Sequence, residues 1–386
     1  MSTIHSADHE DATSGYRKRF SINRRQFVGA AAVTLGASAF NIGRASAADV
    51  EVVDITPELI AAAKREGTIV VRYGSPVDEM MLMANAFEQQ FGIKVLADRK
   101  VGVLGTQQFV TEERAGKHIL DVNYSADPHG ILTLGEEGLY LRFVLKDLDK
   151  KLDPTSYLSN VGYCARTSDA MIAYNPDQIP HERAKDMFKT WHGLLAPELK
   201  GKIGMTEPGG GGIPFATYFM FYKRPEYGRD FLVKLAAQKP RLYTGSAPAR
   251  EDLAAGATSV FIPSFQSAAM IEFMKGDKTA WTYPEIAPSY ANGYLCISKN
   301  APHPNAARLF TAWFFTQEGA RHLQLSQQAI TLKGVPEERP AVPLLQKTSW
   351  WQPYPESIKW VPDMVEWQDR YEELLKDMRN ILGYRS

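Results

Sequence analysis

The alternation of β-branched runs with helical apolar stripes limits the fold of this 386-residue chain more than any other feature. Residues Thr68–Tyr73 are rich in β-branched side chains, which predicts a strand. An apolar stripe at helical spacing follows: Met80, Met83, Ala84, Phe87 and Phe91. Further strands are predicted over residues 93–96 and 119–123. The alternation predicts an α/β fold in which helices flank mainly parallel sheets.

The start of the first of these helices has its own sequence signal. Ser75 is predicted to cap the helix, Pro76 to occupy its first position and Asp78 to complete a capping box. At the other end of the chain, a long apolar stripe over residues 364–382 predicts a helix that docks on the rest of the protein.

The first 47 residues have the layout of an export signal. Asn23-Arg24-Arg25-Gln26-Phe27 is a twin-arginine pair, an apolar run over residues 27–40 follows, and Ala45-Ser46-Ala47 is a small-x-small cleavage pattern. The apolar run is shorter than the roughly 20 residues that span a bilayer. We expect a twin-arginine signal peptide over residues 1–47, cleaved near Ala47, and a periplasmic mature protein. A buried N-terminal helix and an uncleaved anchor remain alternatives.

Charge and composition exclude several functions. The chain has 44 basic and 44 acidic residues, and the leader contains six and three of them, so the mature chain has a net charge of −3. This balance lacks the basic excess of a nucleic-acid-binding protein. The motifs HExxH, GxSxG, GxGxxG, CxxC and CxxCH are absent from the sequence, so we expect neither an enzyme nor a bound cofactor.

Four motifs carry a resemblance to a known family: Glu66–Val71, Tyr124–Pro128, Pro197–Gly204 and Lys299–Ala307. In this order and spacing the chain resembles the extracellular solute-binding proteins of ABC transporters, nearest the group that binds ferric iron or 2-aminoethylphosphonate. The resemblance implies a two-lobed periplasmic binding protein fold of type II, with the ligand in a cleft between lobes that crossover strands join. It also implies a small-molecule solute and an ABC permease as partners, and we expect a monomer.

The resemblance also implies the domain boundaries. Lobe 1 is expected over residues 48–164 and 290–335, lobe 2 over 165–289, and a C-terminal helical segment over 336–386. Both cysteines, Cys164 and Cys296, then lie on or beside the crossing segments. A disulfide between them and two separate buried thiols both remain possible.

The candidate binding residues lie in loops that follow the predicted strands. Ligands of open α/β sheets bind at the carboxyl ends of strands, where hydroxyls, glycine backbones and helix N-termini can contact an anion. Helix capping, turn formation or core packing is the alternative role for each residue. The candidates are Ser75, Arg99, Thr106, Ser125, Asp127, Thr206, Gly210, Gly211, Ser246 and Tyr290.

Whether this chain binds ferric iron can be judged from the residues at the positions of the iron ligands. The ferric-binding branch of the family has a His, a Glu and a Tyr-Tyr pair where this chain has residues 75–77, 104–107 and 262–266, which contain none of these ligands. We therefore expect no metal site and favour a small organic anion. Ferric-iron binding and a ligand-presenting sensory role stay open as alternatives.

Overall fold

The computed structural model describes residues 50–384, except 101–102, 149, 153–155, 159, 210–211 and 363. The predicted signal peptide over 1–47 therefore lies outside the described residues. The strands are β1 (Glu51–Val53), β2 (Thr68–Tyr73), β3 (Lys94–Arg99), β4 (Val122–Ser125), β5 (Phe143–Leu145), β6 (Tyr157–Leu158), β7 (Gly162–Cys164), β8 (Arg166–Tyr174), β9 (Ile203–Thr206), β10 (Arg241–Tyr243), β11 (Val260–Phe265), β12 (Ala280–Thr282), β13 (Ala287–Ala291), β14 (Tyr294–Ile297), β15 (Ala329–Ile330) and β16 (Lys359–Trp360).

Helices alternate with these strands along most of the chain. They are α1 (Pro57–Glu66), α2 (Val77–Phe91), α3 (Val103–Arg114), α4 (Pro128–Glu136), α5 (His181–Met187), α6 (Gly212–Lys223), α7 (Gly228–Ala237), α8 (Ser246–Ala254), α9 (Gln266–Lys275), α10 (Pro304–Trp313), α11 (Gln317–Leu325), α12 (Val342–Leu345) and α13 (Met364–Leu382). None of the helices in the described ranges has the length and apolar character needed to cross a membrane.

The first lobe is built on a sheet with the strand order β3-β2-β4-β14-β7-β6. Strand β2 runs parallel to both β3 and β4, as predicted from the strand–helix alternation. The predicted stripe of α2 is buried, and its Phe87 ring packs 5.0 Å from Phe310 and 5.5 Å from Trp313 of α10. Burying such a side chain stabilises the fold by about 1.5–3 kcal/mol.

The second lobe is built on a sheet with the order β10-β9-β11-β8-β13-β16, and β12 and β15 also pair with β8. Helix α6 is apolar on all sides and buried along most of its length, which is typical of a central helix. Helix α13 covers it: Leu374, Leu375, Met378 and Leu382 are buried in the core of this lobe.

Two neighbouring strands carry the chain between the lobes. Strand β8 starts directly after β7 of the first sheet and runs into the second, and β13 returns antiparallel beside it, with Tyr290 opposite Ser168. The α/β fold with two lobes and crossing strands is thus confirmed. The sheets themselves are mixed rather than mainly parallel. The strand that leaves a lobe and the strand that returns beside it run in opposite directions, which introduces antiparallel pairs into both sheets. Parallel pairs are found chiefly among β2, β3 and β4 and among β9, β10 and β11.

The register places the carboxyl ends of the parallel strands on facing edges. Ser125, the last residue of β4, pairs with Tyr294, the first residue of β14 after the crossing. Phe265, the last residue of β11, pairs with Ala170, the central residue of β8. Both edges therefore point toward the crossing segment, where the resemblance to solute-binding proteins leads us to expect the cleft.

Three local predictions were wrong in detail. Helix α2 starts at Val77, and its N-cap residue is Pro76 in an extended conformation (φ −55°, ψ 146°), without a side-chain cap hydrogen bond. Ser75 is therefore not the cap. Strand β3 extends to Arg99 because it pairs with β2 along six residues at the sheet edge, where polar side chains are tolerated. Strand β4 begins at Val122, after an exposed Ile119.

The two cysteines lie beside the crossing on the paired strands β7 and β14, and both are free and buried thiols. Cys164 lies opposite Tyr294, and a Cβ placed at Gly162 would lie 2.8 Å from Cys296 Sγ. The cysteines are thus diagonal rather than direct cross-strand partners. Diagonal Cα atoms lie about 7–8 Å apart, beyond the range that a disulfide bridges.

Candidate functional site

Ser75 and Arg99 meet at the edge of the first sheet. The parallel pairing of β2 and β3 sets Tyr73 opposite Arg99, and Arg99 Nε makes a long hydrogen bond of 3.4 Å to the Ser75 carbonyl oxygen. Ser75 is 5% exposed, and its Oγ has no hydrogen-bond partner among the described residues. Because α2 starts after Pro76, the Ser75 hydroxyl is not used in capping.

Arg99 differs from its neighbour Arg72 in its charge environment. Arg72 is buried and forms ion pairs with Asp98 (2.7 Å) and Glu112 (3.0 Å), so its charge is neutralised within the lobe. Arg99 is exposed and has no carboxylate partner in the described part of the chain. It is therefore the cation at this edge that can pair with an anion.

Three further candidates are brought together but bond mainly to one another. Thr106 Oγ1 donates to Asp127 Oδ2 at 3.2 Å, and the Asp127 backbone N–H donates to Ser125 Oγ at 3.1 Å. Asp127 Oδ1 also accepts from the Gly130 N–H at 3.0 Å and caps α4. This arrangement fits the capping alternative, and it fixes the loop that forms the cleft edge after β4.

Thr206 and Tyr290 lie on the side of the second lobe. Thr206 ends β9, is 1% exposed, and its Oγ1 lacks a described hydrogen-bond partner. The Tyr290 hydroxyl donates to the Ala126 carbonyl oxygen at 2.9 Å, so this side chain connects β13 to the loop before α4. Its ring packs on the start of α6, because a Cβ at Gly212 would lie 1.8 Å from Tyr290 Cε1. Burial raises the pKa of Tyr290, so the phenol stays a hydrogen-bond donor.

The remaining candidates are not joined to this group by a described contact. Ser246 Oγ accepts from Arg250 Nη1 at 2.9 Å within α8. The neighbouring Tyr243 hydroxyl donates to Asp252 at 2.5 Å. Gly210 and Gly211 lie outside the described residues.

A buried polar cluster at the crossing was not predicted. The Tyr124 hydroxyl donates to Glu79 Oε1 at 2.8 Å, and Arg166 Nε lies 2.9 Å from the Tyr124 oxygen and 3.1 Å from Glu79 Oε1. Burial alone would lower the pKa of Arg166, but the Glu79 carboxylate and Tyr124 outweigh it and raise that pKa. Burial also raises the pKa of Tyr124. Arg166 is 87 positions from Glu79 in sequence, and no motif marks either residue.

Metal-binding side chains do not converge in the described ranges, where no group of three or more His, Cys, Asp or Glu residues could hold a metal ion. His118 and His303 each pair with a single carboxylate, Glu113 at 2.9 Å and Asp121 at 2.8 Å. Both pairs join elements within the first lobe.

Two α/β lobes joined by paired crossing strands, with polar strand ends facing each other across a cleft, define a two-lobed solute-binding protein of type II. Comparison with known families agrees. The model of the bacterial extracellular solute-binding proteins matches residues 82–355, and the chain belongs to this family. Members of this family are transport components that deliver small solutes to ABC permeases, and they are not enzymes.

Solved structures of similar fold bind different solutes. Iron-bound HitA from Pseudomonas aeruginosa is 19% identical, with a TM-score of 0.65 over 81% of this chain and 99% of HitA. AfuA from Actinobacillus pleuropneumoniae, with fructose-6-phosphate bound, is 19% identical, with a TM-score of 0.64 over 83% and 100%. A Trichodesmium protein (IdiA, FutA) with iron and citrate is 14% identical, with a TM-score of 0.63 over 83% and 100%. At these identities the likeness concerns the fold. No curated protein sequence matches the chain.

Proposed function

We propose that this protein captures a small organic anion in its interlobe cleft and delivers it to an ABC permease of the inner membrane. The anion preference rests on a group at the edge of the first sheet. This group consists of the Arg99 guanidinium, which has no carboxylate partner among the described residues, the buried Ser75 hydroxyl and the start of α2. Guanidinium groups bind carboxylates and phosphates with charge-assisted hydrogen bonds.

The start of α2 adds to this preference. The helix has 15 residues, and Pro76 supplies no side-chain cap, so the N–H groups of its first turn have no side-chain acceptor from the cap position. Such groups and the positive end of the helix dipole favour an anion. Asp78 in the same turn opposes this preference, and Arg99 restores the positive charge.

The lobe boundaries belong to the same proposal. Residues 48–164 and 290–335 form lobe 1, residues 165–289 form lobe 2, and residues 336–386 dock on them. The lobes close on the solute by bending at β8 and β13, and the permease recognises the closed form. The mature chain reaches the periplasm by the twin-arginine route after cleavage near Ala47 and acts as a monomer.

Ferric iron is the competing solute, because two of the similar structures hold it. The positions at which the iron-binding branch has a His, a Glu and a Tyr-Tyr pair contain none of these ligands here. Hard Fe(III) prefers anionic oxygen ligands, and the edge groups described above are a cation and a hydroxyl. These residues favour the organic anion over the metal.

A thermal-shift screen of the chain from Ala48 to Ser386 tests the proposal. The panel contains inorganic phosphate, phosphonates, carboxylates, amino acids, neutral sugars and Fe(III) citrate. A bound solute at 100 times its dissociation constant should add about 2.7 kcal/mol to the free energy of unfolding. Isothermal titration of the hit should then show an affinity about 10–100-fold weaker in Arg99→Ala, because a charged hydrogen bond contributes about 1.5–3 kcal/mol.

The matched control is Arg65→Ala, which removes an exposed arginine from α1 and should leave the affinity within about twofold of wild type. Stabilisation by Fe(III) citrate but not by citrate would contradict the organic anion. Binding of a neutral sugar, unaffected by Arg99→Ala, would contradict the role of Arg99. Absence of any solute, also after unfolding and refolding to remove a co-purified one, would contradict solute capture itself.

A further inference from the structure

Helix α13 touches the cleft edge of the second lobe at several successive points. It lies beyond residue 355, where the match to the family model ends. Its apolar face docks on the lobe core, as expected of a terminal helix. Its polar side chains make further contacts, to the end of β9 and to the first turn of α6.

Arg379 makes the closest of these contacts. Its Nε donates to Glu207 Oε1 at 2.6 Å, and its Nη2 contacts the same oxygen. Glu207 follows Thr206 directly, and its own N–H donates to the Tyr243 carbonyl oxygen at 2.8 Å. A Cβ at Gly209 would lie 2.7 Å from Arg379 Nη2, so the guanidinium also lies against the backbone at Gly209.

The residue on the other side of Thr206 is held from the same helix. The Tyr384 hydroxyl, two residues beyond α13, donates to the Met205 carbonyl oxygen at 2.6 Å. Thr206 is thus flanked by two contacts from the C-terminal segment, one on the residue before it and one on the residue after it. Nearer its start, α13 also places the Tyr371 ring 4.5 Å from the Phe215 ring in the first turn of α6.

Polar side chains on the outer face of α13 fix the position of this helix on the lobe. Asp377 accepts hydrogen bonds from the Tyr222 hydroxyl and from Arg229 Nε, the latter at 3.0 Å. Glu366 pairs with Lys223 Nζ at 2.8 Å. These contacts to α6 and α7 define the position from which Arg379 and Tyr384 reach β9.

We infer that α13 is a brace of the solute cleft, in which Arg379 and Tyr384 hold Thr206 at the cleft edge. Arg379 is a positioning residue in this arrangement, because its described contacts are to Glu207 and to the backbone at Gly209. The inference rests on the proposed function, since Thr206 is one of the candidate binding residues of the proposed solute cleft. Its buried Oγ1, without a described partner, is the group whose position the brace determines.

Hydrogen exchange of the mature chain tests the brace without any solute. In Arg379→Ala, the amides of residues 205–207 and 209 (residue 208 is proline) should exchange about tenfold faster than in wild type, because a charged hydrogen bond that closes this segment is lost. The matched control is Arg370→Ala on the same helix, since Arg370 pairs with Glu373 and Glu366 of α13 itself. Its exchange over residues 205–209 should stay within about twofold of wild type.

Two further variants separate positioning from general destabilisation. Arg379→Lys keeps the charge and should restore part of the protection, and Tyr384→Phe should accelerate the same amides, while the exchange of β2 in the other lobe is unchanged. Equal exchange in Arg379→Ala and Arg370→Ala would overturn the brace, as would acceleration spread evenly over both lobes. If Arg379→Ala does not fold, Tyr384→Phe and Arg379→Lys decide by the same criterion. A failed solute screen on the wild type would instead contradict the proposed function.

Discussion

Replacement of Gly212 by alanine adds a single atom, Cβ, that should disturb the contact between the lobes. A Cβ at this position would lie 1.8 Å from Tyr290 Cε1 and 2.3 Å from Cζ, far inside van der Waals contact. The Tyr290 ring is 1% exposed and its hydroxyl is bonded to Ala126 in the first lobe, so the ring cannot move aside without cost.

The magnitude follows from two contributions. Overpacking of a buried position costs about 1–3 kcal/mol, and the displaced ring also loses its hydrogen bond to the Ala126 carbonyl oxygen, which contributes about 0.5–1.5 kcal/mol. We therefore expect Gly212→Ala to lower the free energy of unfolding by about 2–4 kcal/mol. Urea unfolding followed by tryptophan fluorescence measures this change as a shift of the midpoint at constant slope.

Gly245→Ala is the matched control, since a Cβ there meets nothing within 4 Å and its φ of −151° suits any residue. It should lower the free energy of unfolding by no more than about 1 kcal/mol, because Gly245 is the N-cap residue of α8 and alanine is a poorer N-cap than glycine. The double variant Gly212→Ala with Tyr290→Ala should be no less stable than Tyr290→Ala alone, because the clash needs the ring. An unchanged midpoint in Gly212→Ala, or full additivity in the double variant, would refute the reasoning.

Three further outcomes follow from buried groups. Glu79→Gln should cost about 3–5 kcal/mol in urea unfolding because it leaves the buried Arg166 without its carboxylate, and the exposed Asp78→Asn should change little. Burial raises the pKa of the Cys164 thiol to about 12, so the folded state keeps a proton that the unfolded state loses near pH 9. The stabilising contribution of this proton is complete below pH 9 and is lost as the pH rises toward 12. In Cys164→Ala, the free energy of unfolding should therefore fall less steeply with pH in that range, by the equivalent of one bound proton. Leu374→Ala should lower the free energy of unfolding by about 2–5 kcal/mol in the same assay, since this side chain of α13 is buried in the core of the second lobe.

Local periodicity accounts for the parts of the fold that the sequence predicts well. Strand β2 and the stripe of α2 obey the two-residue and 3.6-residue periods, and burial of one face is a property of each element alone. The start of α2 was predicted one residue too early, because Ser75 and Pro76 fit a capping pattern that the extended Pro76 does not adopt. Ser75 was a candidate binding residue all the same, because it lies in the loop after the predicted strand β2.

The contacts that shape the cleft join residues far apart in sequence. Arg379 meets Glu207 across 172 positions, and Arg166 meets Glu79 across 87. A charged residue in a helix or strand has the same local sequence signal whether it is solvated or paired with a distant group. Ser75 and Arg99 could be proposed because both follow neighbouring parallel strands, a relation that the order of elements implies. No such relation connects α13 to β9.

The pairing of β8 with β13 has a consequence for how solute affinity is set. A hydrogen-bonded ribbon of two strands, thickened by β15, spreads a bend over several residues and need not break its own ladder. The proposed open and closed states then differ in free energy mainly through contacts at the two facing edges, such as the hydrogen bond from the Tyr290 hydroxyl to the Ala126 carbonyl oxygen. Apparent affinity falls with the fraction of molecules in the binding-competent state. Sequence changes at these edges can therefore retune the working concentration range of the protein while every solute contact stays the same.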